Sequence, residues 1–132
     1  MVIWNLEDSM LSPVIILAED DPVIALDLMV NLEHLKFQVV ALDNPEELSA
    51  ANSAYQPSLI ILNYRYPKGP NGMELARNLL TQSSARILCV TGAGIAEVES
   101  ARTPDSRLHI LYKPFSRAQL QSCLQVCCNT MA

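Results

Sequence analysis

Residues 59–63 read Leu-Ile-Ile-Leu-Asn, and Tyr64-Arg65-Tyr66-Pro67 follows them directly. Four consecutive apolar residues are the length of a strand buried on both faces, and this run stops at a polar side chain before a loop that contains proline and glycine. Parallel sheets place their sites where such strands end. The stretch therefore predicts a buried strand that delivers one side chain, the amide of Asn63, to a functional site.

Similar apolar runs flank this strand on both sides. They predict further strands at residues 14–18, 37–41, 86–90 and 108–112, and amphipathic patterns between them predict helices at about 22–35, 45–54, 72–80, 95–101 and 117–127. Strands that alternate with helices through short loops form a parallel sheet with helices on both faces. The predicted fold is a doubly wound α/β domain at residues 13–130, preceded by an N-terminal extension at residues 1–12.

Composition limits the function classes. The chain has 132 residues, half of them hydrophobic, and its longest apolar runs are far shorter than the roughly 20 residues that cross a bilayer. A net charge of −5, with nine basic residues spread along the chain, is unfavourable for nucleic-acid binding. We therefore expect a cytoplasmic protein without membrane or nucleic-acid partners. The cysteines lack paired zinc spacing and are expected to be buried thiols; a redox or metal role for Cys123 and Cys127 is the alternative.

Polar residues stand at the predicted ends of four strands. They are the adjacent acids Glu19 and Asp20, then Asn63, Thr91 and Lys113. Two neighbouring carboxylates are costly to hold together unless a cation lies between them, and Mg²⁺ prefers such oxygen ligands. A lysine and a threonine hydroxyl on the same edge would complete a pocket suited to a phosphoryl group.

With these residues in register, the sequence resembles the receiver domain of two-component response regulators. The resemblance covers residues 14–128 and rests on Leu17-Ala18-Glu19-Asp20-Asp21-Pro22, on Asn63 with Pro67 and Gly72, on Val90-Thr91-Gly92 and on Lys113-Pro114-Phe115. It implies a flavodoxin-like three-layer α/β/α fold whose five strands are ordered 2-1-3-4-5.

The resemblance also implies roles for the strand-end residues. Asp20 would be the main Mg²⁺ ligand, Glu19 would act through water, and Arg65 would contribute its backbone carbonyl. Thr91 and Lys113 would contact the phosphate. Asn63 occupies the position of the aspartate that receives a phosphoryl group from a sensor histidine kinase, and it would be the remaining metal ligand.

Two residues depart from the family pattern. The carboxamide of Asn63 is neutral and cannot form a stable acyl phosphate, so we predict that phosphorylation at this position is absent and that Mg²⁺ binding is weakened. Ile110 stands where the family carries the aromatic partner of the switch threonine, here Thr91. Both departures indicate a pseudo-receiver.

We therefore expect a signalling module, not an enzyme, that contacts a sensor histidine kinase, a phosphotransfer protein or another signalling protein, and homodimerisation is a further option. One alternative is a regulator phosphorylated on Glu19, Asp20 or Asp21. Another is an ordinary receiver carrying an engineered Asp-to-Asn change, although the loss of the ring at Ile110 favours natural divergence. A flavin carrier or a metal-dependent phosphatase is the third, disfavoured by the acids after the first strand and by Asn63 respectively.

Overall fold

A computed structural model describes residues 13–129, with side chains described as far as residue 127. The extension predicted at residues 1–12 and the predicted last domain residue lie outside this range. Five parallel strands form one sheet in the order β2-β1-β3-β4-β5, which confirms the predicted fold and strand order. The strands are β1 (Val14–Ala18), β2 (Gln38–Leu42), β3 (Leu59–Asn63), β4 (Arg86–Thr91) and β5 (Leu108–Tyr112).

Helices fill the connections between the strands. They are α1 (Pro22–His34), a single 3₁₀ turn (Pro45–Glu47) that leads into α2 (Leu48–Tyr55), α3 (Gly72–Gln82), α4 (Ile95–Ala101) and α5 (Arg117–Asn129). Buried side chains of α1 and α5 pack on one face of the sheet, and those of α2, α3 and α4 pack on the other. β3 lies at the centre and is buried along its whole length.

Helix starts follow the capping residues in the sequence. The side-chain oxygen of Asn71 accepts hydrogen bonds from the backbone N–H groups of Met73 (2.9 Å) and Glu74 (3.0 Å) at the start of α3. At the start of α5 the backbone N–H of Ser116 donates to Gln119 Oε1 (2.7 Å), and the N–H of Gln119 donates to Ser116 Oγ (3.0 Å). Asn71 and Ser116 are residue types that the sequence offers as helix caps, and both act as caps in the structure.

Of two packing predictions, one is confirmed and one is wrong. The apolar spacing at residues 25, 28, 29, 32 and 35 predicts one buried stripe on α1, and the structure confirms it: Leu28 and Leu32 are buried, and Met29 and Leu35 pack partly buried against the same core cluster. Val23, Ile24, Leu26 and Val30 lie outside this stripe and are exposed. Ala118, predicted to pack, is exposed because it lies roughly 200° around α5 from the buried Leu120.

Candidate functional site

A cavity of about 340 Å³ opens at the carboxyl ends of β3, β4 and β5. Its polar side chains come from Asn63, Arg65, Thr91 and Lys113, and the rest of the lining is Val90 of β4 with Gly92 and Ala93 of the loop that follows. Three of the residues predicted for the pocket are thus brought together. Arg65 was predicted to contribute its backbone carbonyl, and its presence among the residues that line the cavity was not foreseen.

Asn63 connects this cavity to the acids that follow β1. It is 9% exposed, and its Nδ2 donates a hydrogen bond to Asp20 Oδ1 at 3.2 Å. Glu19 is buried, and its Oε1 accepts the backbone N–H of Asp21 at 3.0 Å. Asp21 itself caps α1, because its Oδ1 accepts the N–H of Val23 at 2.9 Å. Each of the three acids therefore already has a hydrogen-bond partner within the protein.

Thr91 ends β4, and Lys113 follows the end of β5 directly. Thr91 is buried, and its hydroxyl oxygen accepts the backbone N–H of Ala93 at 2.9 Å. The backbone N–H of Lys113 donates to the carbonyl oxygen of Thr91 at 2.7 Å, and the peptide bond between Lys113 and Pro114 is cis. Within residues 13–129 no ion pair holds the Lys113 ammonium group. Lys113 is exposed and lines the cavity.

Tyr66 makes a contact that sequence reasoning missed. Its hydroxyl accepts the backbone N–H of Asn63 at 2.8 Å and donates to the carbonyl oxygen of Ala18 at 2.8 Å. One phenol oxygen thus joins the ends of β1 and β3, at the point where the two strands would otherwise bond directly. Burial is the main cause of the raised pKa of this hydroxyl, which remains protonated at neutral pH. A tyrosine in a loop carries no periodic signal that would have revealed this bridge.

The loop after β3 is also joined to α4. The Arg65 guanidinium forms an ion pair with the carboxylate of Glu97 and lies 5.8 Å from the centre of the Tyr64 ring. Burial, and then the nearby Glu97 carboxylate, raise the pKa of the Tyr64 hydroxyl. Tyr64 and Arg65 therefore both contact the same acid on α4, and this links the cavity to that helix.

Gly72 explains how the loop folds back on β3. Its N–H donates to the carbonyl oxygen of Tyr64 at 2.7 Å. A Cβ atom at this position would lie 2.2 Å from the carbonyl oxygen of Asn63 and 2.9 Å from the Cα of Tyr64. Only glycine allows the start of α3 to approach the end of β3 so closely.

The face of β5 opposite Lys113 carries Ile110 and Tyr112. Both side chains pack partly buried against the core on the α2–α4 face, because residues two positions apart on a strand point to the same side of the sheet. The Tyr112 hydroxyl reaches Glu99 Oε2 of α4 at 3.4 Å. Ile110 thus fills an apolar position, and the ring that meets α4 belongs to the residue two positions later.

The oxygen atoms at the carboxyl ends of β1 and β3 can be compared with the ligands that Mg²⁺ prefers. Carboxylates at Glu19 and Asp20 and the Arg65 carbonyl are oxygen donors of the kind that Mg²⁺ prefers. Asn63, however, turns its amide nitrogen toward Asp20, so its oxygen is not presented to the same position. No cluster of three or more acidic, histidine or cysteine side chains with metal-site grouping occurs among the described residues. The two carboxylates and the Arg65 carbonyl thus match the ligand preference of Mg²⁺, while the Asn63 side chain presents its nitrogen to Asp20.

Two features lie away from the cavity. His109 on β5 has a buried Nε2 that makes no hydrogen bond within the described chain, and burial, followed by the positive charges of Arg86 and Arg102, lowers its pKa. On α5 the hydrogen bond from Cys127 lowers the pKa of the half-buried Cys123 thiol to about 7. Neither group contributes to the strand-end site.

Fold and cavity together define a receiver-type signalling domain, and comparison with known proteins agrees. The family model described as "Response regulator receiver domain" matches residues 15–125, so the chain belongs to that family. A search of curated proteins found no match. Membership of this family argues against the flavin-carrier and phosphatase alternatives. It places the chain among signalling modules.

Solved receiver structures superpose closely on this chain. A response regulator receiver protein from Sinorhizobium medicae is 25% identical with a TM-score of 0.80, over 93% of this chain and 99% of that one. Chemotaxis protein CheY4 from Vibrio cholerae is 20% identical with a TM-score of 0.78, over 87% and 98%. A Francisella response regulator receiver domain is 17% identical with a TM-score of 0.75, over 92% and 100%. No helix among residues 13–129 is long and apolar enough to span a membrane.

Proposed function

We propose that this receiver domain signals by contact with partner proteins and does not accept a phosphoryl group. The observation that carries the proposal is Asn63, a buried carboxamide at the end of β3 that donates a hydrogen bond to Asp20. A carboxamide oxygen is neutral and the lone pair of its nitrogen is delocalised, so neither atom is the nucleophile that forms an acyl phosphate. With Thr91 and Lys113 beside it, the pocket keeps groups that would bind a phosphate but lacks the group that would be phosphorylated.

Mg²⁺ binding is weakened under this proposal. Replacing a carboxylate by an amide removes one negative charge, and the Asn63 amide nitrogen takes up one oxygen of Asp20. When bound, Mg²⁺ would be held by Asp20, by Glu19 through water and by the Arg65 carbonyl, and it would neutralise the charge of the acid pair. This domain does not depend on the ion for its output.

The partners belong to the same signalling system. A sensor histidine kinase or a phosphotransfer protein, or a downstream signalling protein, would bind the domain in the cytoplasm as a contact partner. Ile110 supports a constant output surface, because the Thr91 switch has no aromatic partner at that position. A homodimer is the remaining assembly to test.

The test is incubation with acetyl phosphate and Mg²⁺, followed by intact-mass measurement. The wild-type chain should keep its mass, and Asn63→Asp, which restores the missing carboxylate, should gain one phosphoryl group. Gain of a phosphoryl group by the wild type that disappears in Asn63→Ala would contradict the proposal. Gain that persists in Asn63→Ala but disappears in Asp20→Ala would instead favour the alternative of another acidic acceptor.

The geometry weighs against that alternative. The Asp21 carboxylate is engaged in capping α1, Glu19 accepts the N–H of Asp21, and Asp20 accepts from Asn63. An acid that is already held by a donor is a poorer nucleophile than a free carboxylate. None of these acids is among the residues that line the cavity with Thr91 and Lys113.

A further inference from the structure

Two cysteine side chains of α5 lie about one helical turn apart where this helix packs on the sheet. Cys127 is fully buried in the core cluster on the α1–α5 face, and Cys123 packs partly buried against the same cluster. Both are present as thiols, and Cys127 donates a hydrogen bond to Cys123. The two sulfur atoms are therefore neighbours, at a place in the fold that the strand-end site does not use.

The spacing of these two thiols is unfavourable for a disulfide. Side chains four positions apart on a helix have Cβ atoms about 5–6 Å apart. A disulfide needs its two Cβ atoms about 3.5–4.5 Å apart. Closing that bond would require α5 to unwind, and the buried Leu124 and Cys127 hold this turn of the helix against the sheet. A bridge longer than a direct bond between the sulfurs suits the pair better.

A single soft metal ion is a bridge of suitable length. Metal–sulfur bonds are about 2.3 Å long in zinc sites, so an ion between two thiolates can hold the sulfur atoms about 4–5 Å apart. Thiolates select soft cations such as Cu⁺ and also bind Zn²⁺.

The number of ligands distinguishes between these two ions. Structural Zn²⁺ takes about four protein ligands. Within the part of the chain that the structure describes, no group of three or more histidine, cysteine, aspartate or glutamate side chains is arranged to hold an ion. Cu⁺ has a filled d shell and is satisfied by two thiolates in a linear arrangement. It is therefore the ion that matches a pair of cysteines.

We propose that Cys123 and Cys127 form a two-thiolate site for Cu⁺ on α5. On binding, each thiol releases its proton to solvent and each sulfur forms one bond to the ion, with no change in oxidation state. The bound ion leaves one negative charge on the pair, and the half-buried position of Cys123 allows solvent to stabilise it. The site lies away from Asn63 and does not depend on the proposed function.

The experiment is a competition for Cu⁺ between the full chain and the chromophoric chelator bicinchoninate, carried out without oxygen. The wild type should take up one Cu⁺ per chain. Loss of a group that only orients a ligand weakens metal binding about 10–100-fold, so Cys123→Ser and Cys127→Ala, which each remove a ligand, should bind at least about a hundredfold more weakly. Cys89→Ala is the matched control and should bind like the wild type, because Cys89 is a buried thiol on the other face of the sheet. Circular dichroism establishes that each variant is folded.

Urea unfolding gives a second measurement of the same site. An ion that binds the folded chain stabilises it, so Cu⁺ should raise the unfolding midpoint of the wild type and of Cys89→Ala. The midpoint of Cys123→Ser should not change when Cu⁺ is added.

Four results would overturn the proposal. The first is equal Cu⁺ affinity in Cys123→Ser and the wild type, and the second is loss of binding in Cys128→Ala while Cys127→Ala still binds. The third is uptake of one Zn²⁺ per chain that displaces Cu⁺. The fourth is an intrachain disulfide between Cys123 and Cys127 after treatment with the thiol oxidant diamide, which would favour the redox role instead. All of these variants keep Asn63, so this proposal and the one on phosphoryl transfer can fail separately.

Discussion

Replacing Tyr66 by phenylalanine should destabilise the domain far more than the loss of one surface hydroxyl would. The ring stays, but the phenol oxygen that accepts from the Asn63 N–H and donates to the Ala18 carbonyl, each at 2.8 Å, is removed. Both backbone groups lie at the buried ends of central strands. An unpaired buried polar group costs about 1–3 kcal/mol, so losing both bonds lowers the free energy of unfolding by about 2–4 kcal/mol.

Urea unfolding followed by circular dichroism measures this effect. For a domain of this size, a loss of about 2–4 kcal/mol corresponds to a midpoint lower by about 1–2 M urea at unchanged slope. Tyr112→Phe is the matched control, because its hydroxyl makes a longer, exposed contact of 3.4 Å with Glu99. That control should change the unfolding free energy by less than about 0.5 kcal/mol. A Tyr66→Phe midpoint equal to that of the control would refute the bridge and mean that β1 and β3 bond directly.

Three further outcomes follow from local contacts. Gly72→Ala should lower the free energy of unfolding by about 1–3 kcal/mol, because the added Cβ would meet backbone at 2.2 Å, whereas Gly94→Ala, with nothing within 4 Å, should have little effect in the same urea assay. The pKa of His109 is lower in the folded than in the unfolded chain, so as the pH drops below about 6.5 the unfolded chain takes up the proton first and the free energy of unfolding should decrease, levelling off below the folded pKa. His109→Gln should flatten this pH dependence more than His34→Gln does. Equal pH dependence in the two variants would contradict the assignment to His109. Iodoacetamide at neutral pH should label Cys123 quickly, because a thiol with a pKa of about 7 is largely thiolate there, and Cys127→Ala should slow that labelling. A labelling rate that peptide mass mapping finds unchanged in Cys127→Ala would exclude the hydrogen bond from Cys127 as the cause of the lowered Cys123 pKa.

Much of the fold is predictable from the sequence, and the reasons are local. Buried strands such as β3 are continuous apolar runs, and caps such as Asn71 and Ser116 have short-range partners, so their signals survive in a single sequence. The residues at the strand ends are predictable because parallel strands bring their carboxyl ends to one edge. Asn63, Thr91 and Lys113 do line a common cavity.

What could not be predicted depends on side chains that reach across elements. Tyr66 bonds to Ala18, and Arg65 pairs with Glu97 across 32 positions of sequence, and no periodic pattern marks either contact. These long-range side-chain contacts, and not the helices and strands, are the part of the structure that the sequence does not reveal.

The ladder bond between the N–H of Tyr64 and the carbonyl oxygen of Val90, at 3.0 Å, has a consequence for the lifetime of Asn63. Asparagine converts to aspartate spontaneously when the backbone nitrogen of the next residue attacks the side-chain carbonyl carbon and closes a five-membered ring. In this chain that nitrogen is fixed in the sheet and its hydrogen is engaged, so the ring cannot close without breaking strand pairing. Ageing therefore does not turn the amide into a phosphate acceptor, and old and newly made molecules carry the same chemistry.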